Sequence, residues 1–127
     1  MKSLISAATL AALSLGLAQT ALAAPGDDAE MKQLAAKSGC VACHSIEPGA
    51  KGPEGLAPVG PAWKDVAAKY KGDKAAQDRL TKTVLQGSNP YDSHWKGKAS
   101  GLAMPPNAVA ITEPDARKLV GWILGLK

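Results

Sequence analysis

An all-α domain of about four helices threaded by two long loops is what this 127-residue sequence predicts. Three observations predict it. Apolar residues recur at helical spacing in four separate segments, no run alternates with the period of a strand over a useful length, and Gly and Pro cluster in two extended stretches between the helices.

From Pro25, the segment PGDDAEMKQLAAKSGC predicts the first helix, with Asp27 and Asp28 marking its start and Met31, Leu34, Ala35 and Ser38 falling near one face. Acidic side chains suit the positive end of the helix dipole. Residues 46–61, IEPGAKGPEGLAPVGP, hold four prolines and four glycines, which excludes a regular element and predicts a long ordered loop. AWKDVAAKY at 62–70 and KAAQDRLTKTVLQ at 74–86 predict two shorter helices separated by Lys71-Gly72-Asp73, the second of them ending at a Gly87 cap. A second long loop spans 87–111, again rich in Gly, Pro, Ser and Asn. In the closing segment ITEPDARKLVGWILGLK, Thr112 caps a helix, Pro114 occupies its first turn and Asp115 completes a variant of the capping box. Ala116, Leu119, Trp122, Ile123 and Leu126 make its apolar face. Loops this long usually carry function.

Residues 1–23 place Lys2 ahead of an Ala- and Leu-rich stretch that ends in Ala21-Leu22-Ala23, the pattern of a secretory signal cleaved after Ala23. Gln19 and Thr20 interrupt that stretch, so a stable membrane anchor is not expected. Residues 24–127 then form one domain. Removal of Lys2 lowers the formal charge of +4 by one, and the remaining lysines are spread without a dense basic run or interleaved aromatics. Nucleic acid is therefore not an expected partner, whereas an acidic partner protein suits the surface.

With no Phe, three Trp and two Tyr, the chain is short of bulky core residues. A domain of this size is marginal without a staple such as a metal, a disulfide or a cofactor.

The only two cysteines occur in CVACHS, where Cys40, Cys43 and His44 stand at i, i+3 and i+4 and project to one side of a helical turn. A cysteine pair at this spacing reads as a redox dithiol, as half a zinc site, or as the attachment of one haem c through two thioether bonds with the histidine on iron. A dithiol of the thioredoxin kind belongs beside a βαβ unit, and this chain has no strands to make one. Zinc wants four ligands, and beyond the motif only His94 and scattered carboxylates remain. Haem uses all three residues, suits an exported chain, and supplies the missing apolar core. Candidates for the opposite face of the iron are Met31, His94 and Met104. Met31 shares the helix of the attachment cysteines and reads as a core thioether. Met104 sits in GLAMPPNA, stiffened by Pro105 and Pro106, and is the expected ligand, with His94 as its rival.

The order of GCVACH at 39–44, GPAWKDVA at 60–67, MPPN at 104–107 and a last helix reaching Trp122 resembles the class I cytochromes c, in particular the short single-haem bacterial group of the periplasm. The resemblance covers essentially all of residues 24–127. It implies the small cytochrome c fold wrapped around one covalently bound haem, with Cys40 and Cys43 as thioether donors, His44 as proximal ligand and Met104 as distal ligand. It further implies that the Pro61 carbonyl accepts from His44 Nδ1, that Asn107 donates to the Met104 sulfur, and that Trp95 bonds a haem propionate. Residues 45–60, and the stretch SHWKGKASGLA before Met104, are longer than the shortest members need, which leaves Pro53 and Pro58 as alternatives to Pro61. The implied function is one-electron transfer between redox partner proteins rather than enzymatic turnover, with Lys51, Lys64, Lys96 and Lys98 steering the partner. A free monomer and a subunit of a larger periplasmic oxidoreductase both fit, and so does a haem sensor or enzyme with a displaceable distal ligand.

Overall fold

The computed structural model describes residues 28–51, 53–92 and 95–127. The expected signal segment and His94 lie outside the described residues. Four α-helices and no strand occur among the described residues: α1 at Asp28–Lys37, α2 at Trp63–Lys69, α3 at Ala76–Gln86 and α4 at Glu113–Leu124. Single 3-10 turns punctuate the intervening chain at Cys40–Ala42, Pro53–Gly55 and Pro90–Asp92.

α1 stops earlier than the sequence pattern suggests. Gly39 adopts φ 74°, ψ 4°, a left-handed conformation that ends the helix and restarts the chain as the separate turn Cys40–Ala42. α2 lacks a capping side chain, and its exposed N–H groups are taken up from elsewhere. Trp63 N–H donates to the Ser45 carbonyl at 2.9 Å and Lys64 N–H to the Ile46 carbonyl at 3.1 Å. The chain just after His44 thus caps α2 through its backbone. α3 ends as expected at Gly87, whose φ of 84° suits glycine and whose N–H bonds the Thr83 carbonyl at 2.8 Å. Thr112 caps α4, accepting from Asp115 N–H at 3.4 Å while its own hydroxyl donates to the Asp115 carboxylate at 2.8 Å.

α4 packs against α1, α2 and α3 and organises the interior. Its buried residues Ala116, Leu119, Trp122 and Ile123 meet Met31 and Ala35 of α1 and Trp63 and Val66 of α2. Met31 is 0% exposed, in the core role its position on α1 predicts. Trp122 ties α4 to the start of α1, its indole N–H donating to Asp28 Oδ1 at 3.1 Å. The ion pair with Lys32, helped by this indole bond, holds the Asp28 carboxyl below its usual range. No helix among the described residues is long and apolar enough to cross a membrane.

Candidate cofactor site

One side of the helical packing is left open as a cleft of about 1090 Å³, counting the part that faces solvent. Its wall is mainly apolar, with Val66, Leu80, Val84, Leu119 and Ile123 contributed by all three helices that follow the cysteine turn. Cys40, Cys43 and His44 line one part of it, and Met104 and Trp95 are also in its wall.

The turn that carries Cys40 is closed by backbone bonds from Cys43 N–H (3.2 Å) and His44 N–H (3.0 Å) to the Cys40 carbonyl, which brings all three side chains to the cleft. Neither thiol is in a disulfide. Burial, the largest influence, pushes the Cys40 thiol above its usual pKa, and neighbouring Cys43 adds to the rise.

His44 is held from three sides. Its Nδ1–H donates to the Pro61 carbonyl at 2.8 Å, which leaves Nε2 as the nitrogen with a lone pair. Trp63 stacks on the imidazole at 6.0 Å between centroids and 22° between planes, and Trp122 meets Trp63 edge-on at 5.7 Å. Gly60 lies against the ring so closely that a Cβ there would stand 2.7 Å from Nδ1 and 2.8 Å from Nε2. Burial lowers the His44 pKa, with the Pro61 bond acting in the opposite direction. Among the three prolines of the first loop that compete for this contact, Pro61 is the one whose carbonyl His44 meets.

Met104 is held by its backbone. Ser88 clamps it twice, accepting from Met104 N–H through Oγ at 2.8 Å and donating its own N–H to the Met104 carbonyl at 2.9 Å. The clamp hangs directly from the end of α3. Asn107 Nδ2 donates to the Pro105 carbonyl at 2.6 Å, an acceptor different from the expected Met104 sulfur, and Asn107 is not in the cleft wall. Its backbone N–H bonds the Val84 carbonyl of α3 at 3.0 Å, so the residue fixes the loop just after Met104. Trp95 lies under Lys69, whose Nζ is 4.6 Å from the ring centroid, and its indole N–H has no hydrogen-bond partner among the described residues.

Among the described residues no three His, Cys, Asp or Glu side chains converge as a compact metal site. Two thiols on one turn, an imidazole with its tautomer set, a thioether and an apolar wall are a donor set that suits a flat iron macrocycle. Comparison with known proteins agrees, for a cytochrome c family model matches residues 29–127.

The chain belongs to the cytochrome c family.

Cytochrome c-551 of Allochromatium vinosum is 50% identical over 93 residues, 73% of this chain and 82% of that protein. Cytochrome c-551 of Pseudomonas aeruginosa is 39% identical over 118 residues, 92% of this chain and 96% of that one. The crystal structure of Nitrosomonas europaea cytochrome c552 superposes with a TM-score of 0.59 at 38% identity, covering 76% of this chain and 99% of that chain. Cytochromes c are electron-transfer proteins rather than enzymes and carry haem c covalently, and the spacing of Cys40 and Cys43 is consistent with one haem.

Ser88 is the residue of this candidate site that the sequence does not announce, whereas Gly60 and Trp63 belong to the GPAWKDVA motif. The Gly60-Pro61 pair is a visible signal for a close approach, and Trp63 carries an aromatic ring where core packing is its ordinary role. Ser88 offers no such signal, since its importance comes from a backbone sixteen residues away.

Proposed function

We propose that this cytochrome c is a periplasmic one-electron carrier in which Cys40 and Cys43 hold one haem c by thioether bonds, and His44 and Met104 are its axial ligands. The observation that carries the reading is the convergence of these four side chains on a single apolar cleft, His44 oriented by Pro61 and Met104 clamped by Ser88.

When bound, haem supplies the one-electron iron couple. Pro61, by accepting the Nδ1 proton, fixes the His44 ring and strengthens its Nε2 as a donor. Met104 offers a soft thioether, which favours the reduced iron and raises the potential. The aliphatic wall keeps water out and acts in the same direction. Trp95 has its indole N–H available for a propionate, and Asn107 supports Met104 through the Pro105 carbonyl. Were His44 and Met104 both to hold the iron, no position would be left for a substrate and the reorganisation on electron transfer would be small.

Residues 1–23 serve as the export signal and 24–127 as the working domain. Lys51 and Lys96 are exposed and steer an acidic redox partner, whereas Lys64 is paired with Glu47 at 2.6 Å and Lys98 with Asp65 at 3.3 Å, which weakens their long-range field.

Optical spectra of the oxidised and reduced holoprotein test the ligand set. The wild type should show an iron–sulfur charge-transfer band and, once reduced, ignore carbon monoxide. Met104→Ala should lose the band, bind carbon monoxide and have a lower potential. An unchanged spectrum and potential in that variant sink the Met104 assignment, and carbon monoxide binding by the wild type at neutral pH turns the reading toward a sensor or enzyme.

A further inference from the structure

The two long loops meet at the mouth of the cleft. Ser100 N–H donates to the Pro58 carbonyl and Gly101 N–H to the Val59 carbonyl, both at 2.9 Å. Ser100 Oγ lies 3.1 Å from the Ala57 carbonyl and 3.3 Å from that of Pro58, so its one hydroxyl hydrogen is shared between them. Packing at Gly101 is tight, since a Cβ there would stand 2.6 Å from the Val59 carbonyl oxygen and 3.0 Å from Val59 Cγ1.

None of these residues belongs to a helix. Nor does burial hold them together, for Leu56, Val59 and Leu102 around the junction are 63%, 43% and 82% exposed. The loops are therefore joined here chiefly by the hydrogen bonds of this clasp. Its position gives it leverage. Val59 precedes Pro61, the orienting partner of His44, by two residues, and Gly101 precedes Met104 by three. Val59, Gly101 and Leu102 are themselves in the cleft wall. The far side of Met104 is already anchored to α3 through Ser88 and Asn107, so the clasp is the anchor on its other flank.

We propose that Ser100 and Gly101 are positioning residues for the distal ligand: by fastening the second loop to the first, they hold Met104 on iron against competing ligands. This rests on the His44/Met104 haem reading. Opening the clasp frees the chain before Met104 to swing outward, so the sulfur spends more time off the metal and an added ligand binds with higher apparent affinity.

The test is imidazole titration of the ferric holoprotein, with the charge-transfer band and a thermal melt recorded for each variant. Gly101→Ala forces a Cβ against the Val59 carbonyl and should raise imidazole affinity about tenfold or more. Ser100→Ala removes only the shared hydroxyl bond and should raise it about threefold, while Ser100→Thr, which keeps the hydroxyl, should stay within about twofold of wild type. Should Gly101→Ala fail to mature, the Ser100 pair decides. Thr112→Ala, which weakens α4 away from the clasp, supplies the control for global stability. Wild-type affinity in Ser100→Ala overturns the proposal, as does an equal gain in Thr112→Ala. A wild type without the charge-transfer band overturns the axial-ligand reading and the clasp with it. A band present in wild type and lost in Met104→Ala, with clasp variants unmoved, sinks the clasp alone.

Discussion

Gly60 has no side chain because the His44 imidazole occupies the space one would need. Replacing it with alanine places a methyl against Nδ1 and Nε2, and the ring must turn or the loop must retreat. Either movement stretches the 2.8 Å bond from His44 Nδ1 to the Pro61 carbonyl. Overpacking of this kind costs about 1–3 kcal/mol. In the proposed haem site His44 would then be a weaker donor, and a weaker donor supports the oxidised iron less. Gly60→Ala is therefore expected to lower the melting temperature and raise the reduction potential together, as read by a thermal melt and a redox titration. A variant with the wild-type potential would mean that the contact does not tune the iron. The motif CVACH was legible at this scale because its three reactive side chains are adjacent in the chain. Pro61 came only through family resemblance, since nothing local says which of several prolines turns its carbonyl toward a histidine. The Ser88 clamp was not legible at all, because both of its bonds join residues that only the folded loop brings together.

At the scale of elements, helix starts and stops are legible wherever a local chemical signal sets them. Thr112, Pro114 and Asp115 announce α4, and Gly87 ends α3 where expected. α1 differs because its apolar pattern runs on past Lys37, while Gly39 turns left-handed and breaks it. That break has a purpose, since it frees Cys40–Ala42 to turn the two thiols and His44 toward the cleft rather than continue along the axis of α1. α2 starts without any capping side chain, and the Ser45 and Ile46 carbonyls that satisfy it were invisible from its own sequence. α4 is the element that touches every other helix, so its cap has an outsized effect. Thr112→Ala removes the side-chain acceptor for Asp115 N–H and is expected to cost about 1 kcal/mol. For a domain of this size that is a fall of about 4–8 °C in melting temperature. The absorption spectrum should not change, because Thr112 is not in the cleft wall, and a melt identical to wild type would show that the cap contributes nothing.

At the scale of the whole molecule, the first and last helices are joined directly. Asp28 at the start of α1 bonds Trp122 in α4, Trp122 meets Trp63 edge-on, and Trp63 stacks on His44. This aromatic column supports one part of the cleft wall, while another part is made of loop residues. Val59 and Leu102 are of this second kind, both in the wall and both substantially exposed. A small domain with few aromatics gains most of its stability from apolar area removed from water, at about 25 cal/mol per Å². Filling the apolar cleft would add to that gain. The holoprotein should thus melt cooperatively, and the doubly substituted chain Cys40→Ser/Cys43→Ser, recovered without haem, should lose that cooperativity. Helical circular dichroism should fall, and protease should cut first in the 46–61 and 87–111 loops, which carry no α-helix and line the mouth of the cleft. Amide protection should persist longest where α4 packs on α1 through Met31, Ala35, Ala116 and Trp122, none of which lines the cleft. A haem-free chain that melts as sharply and as high as the holoprotein would show that cofactor and core are separate objects in this fold.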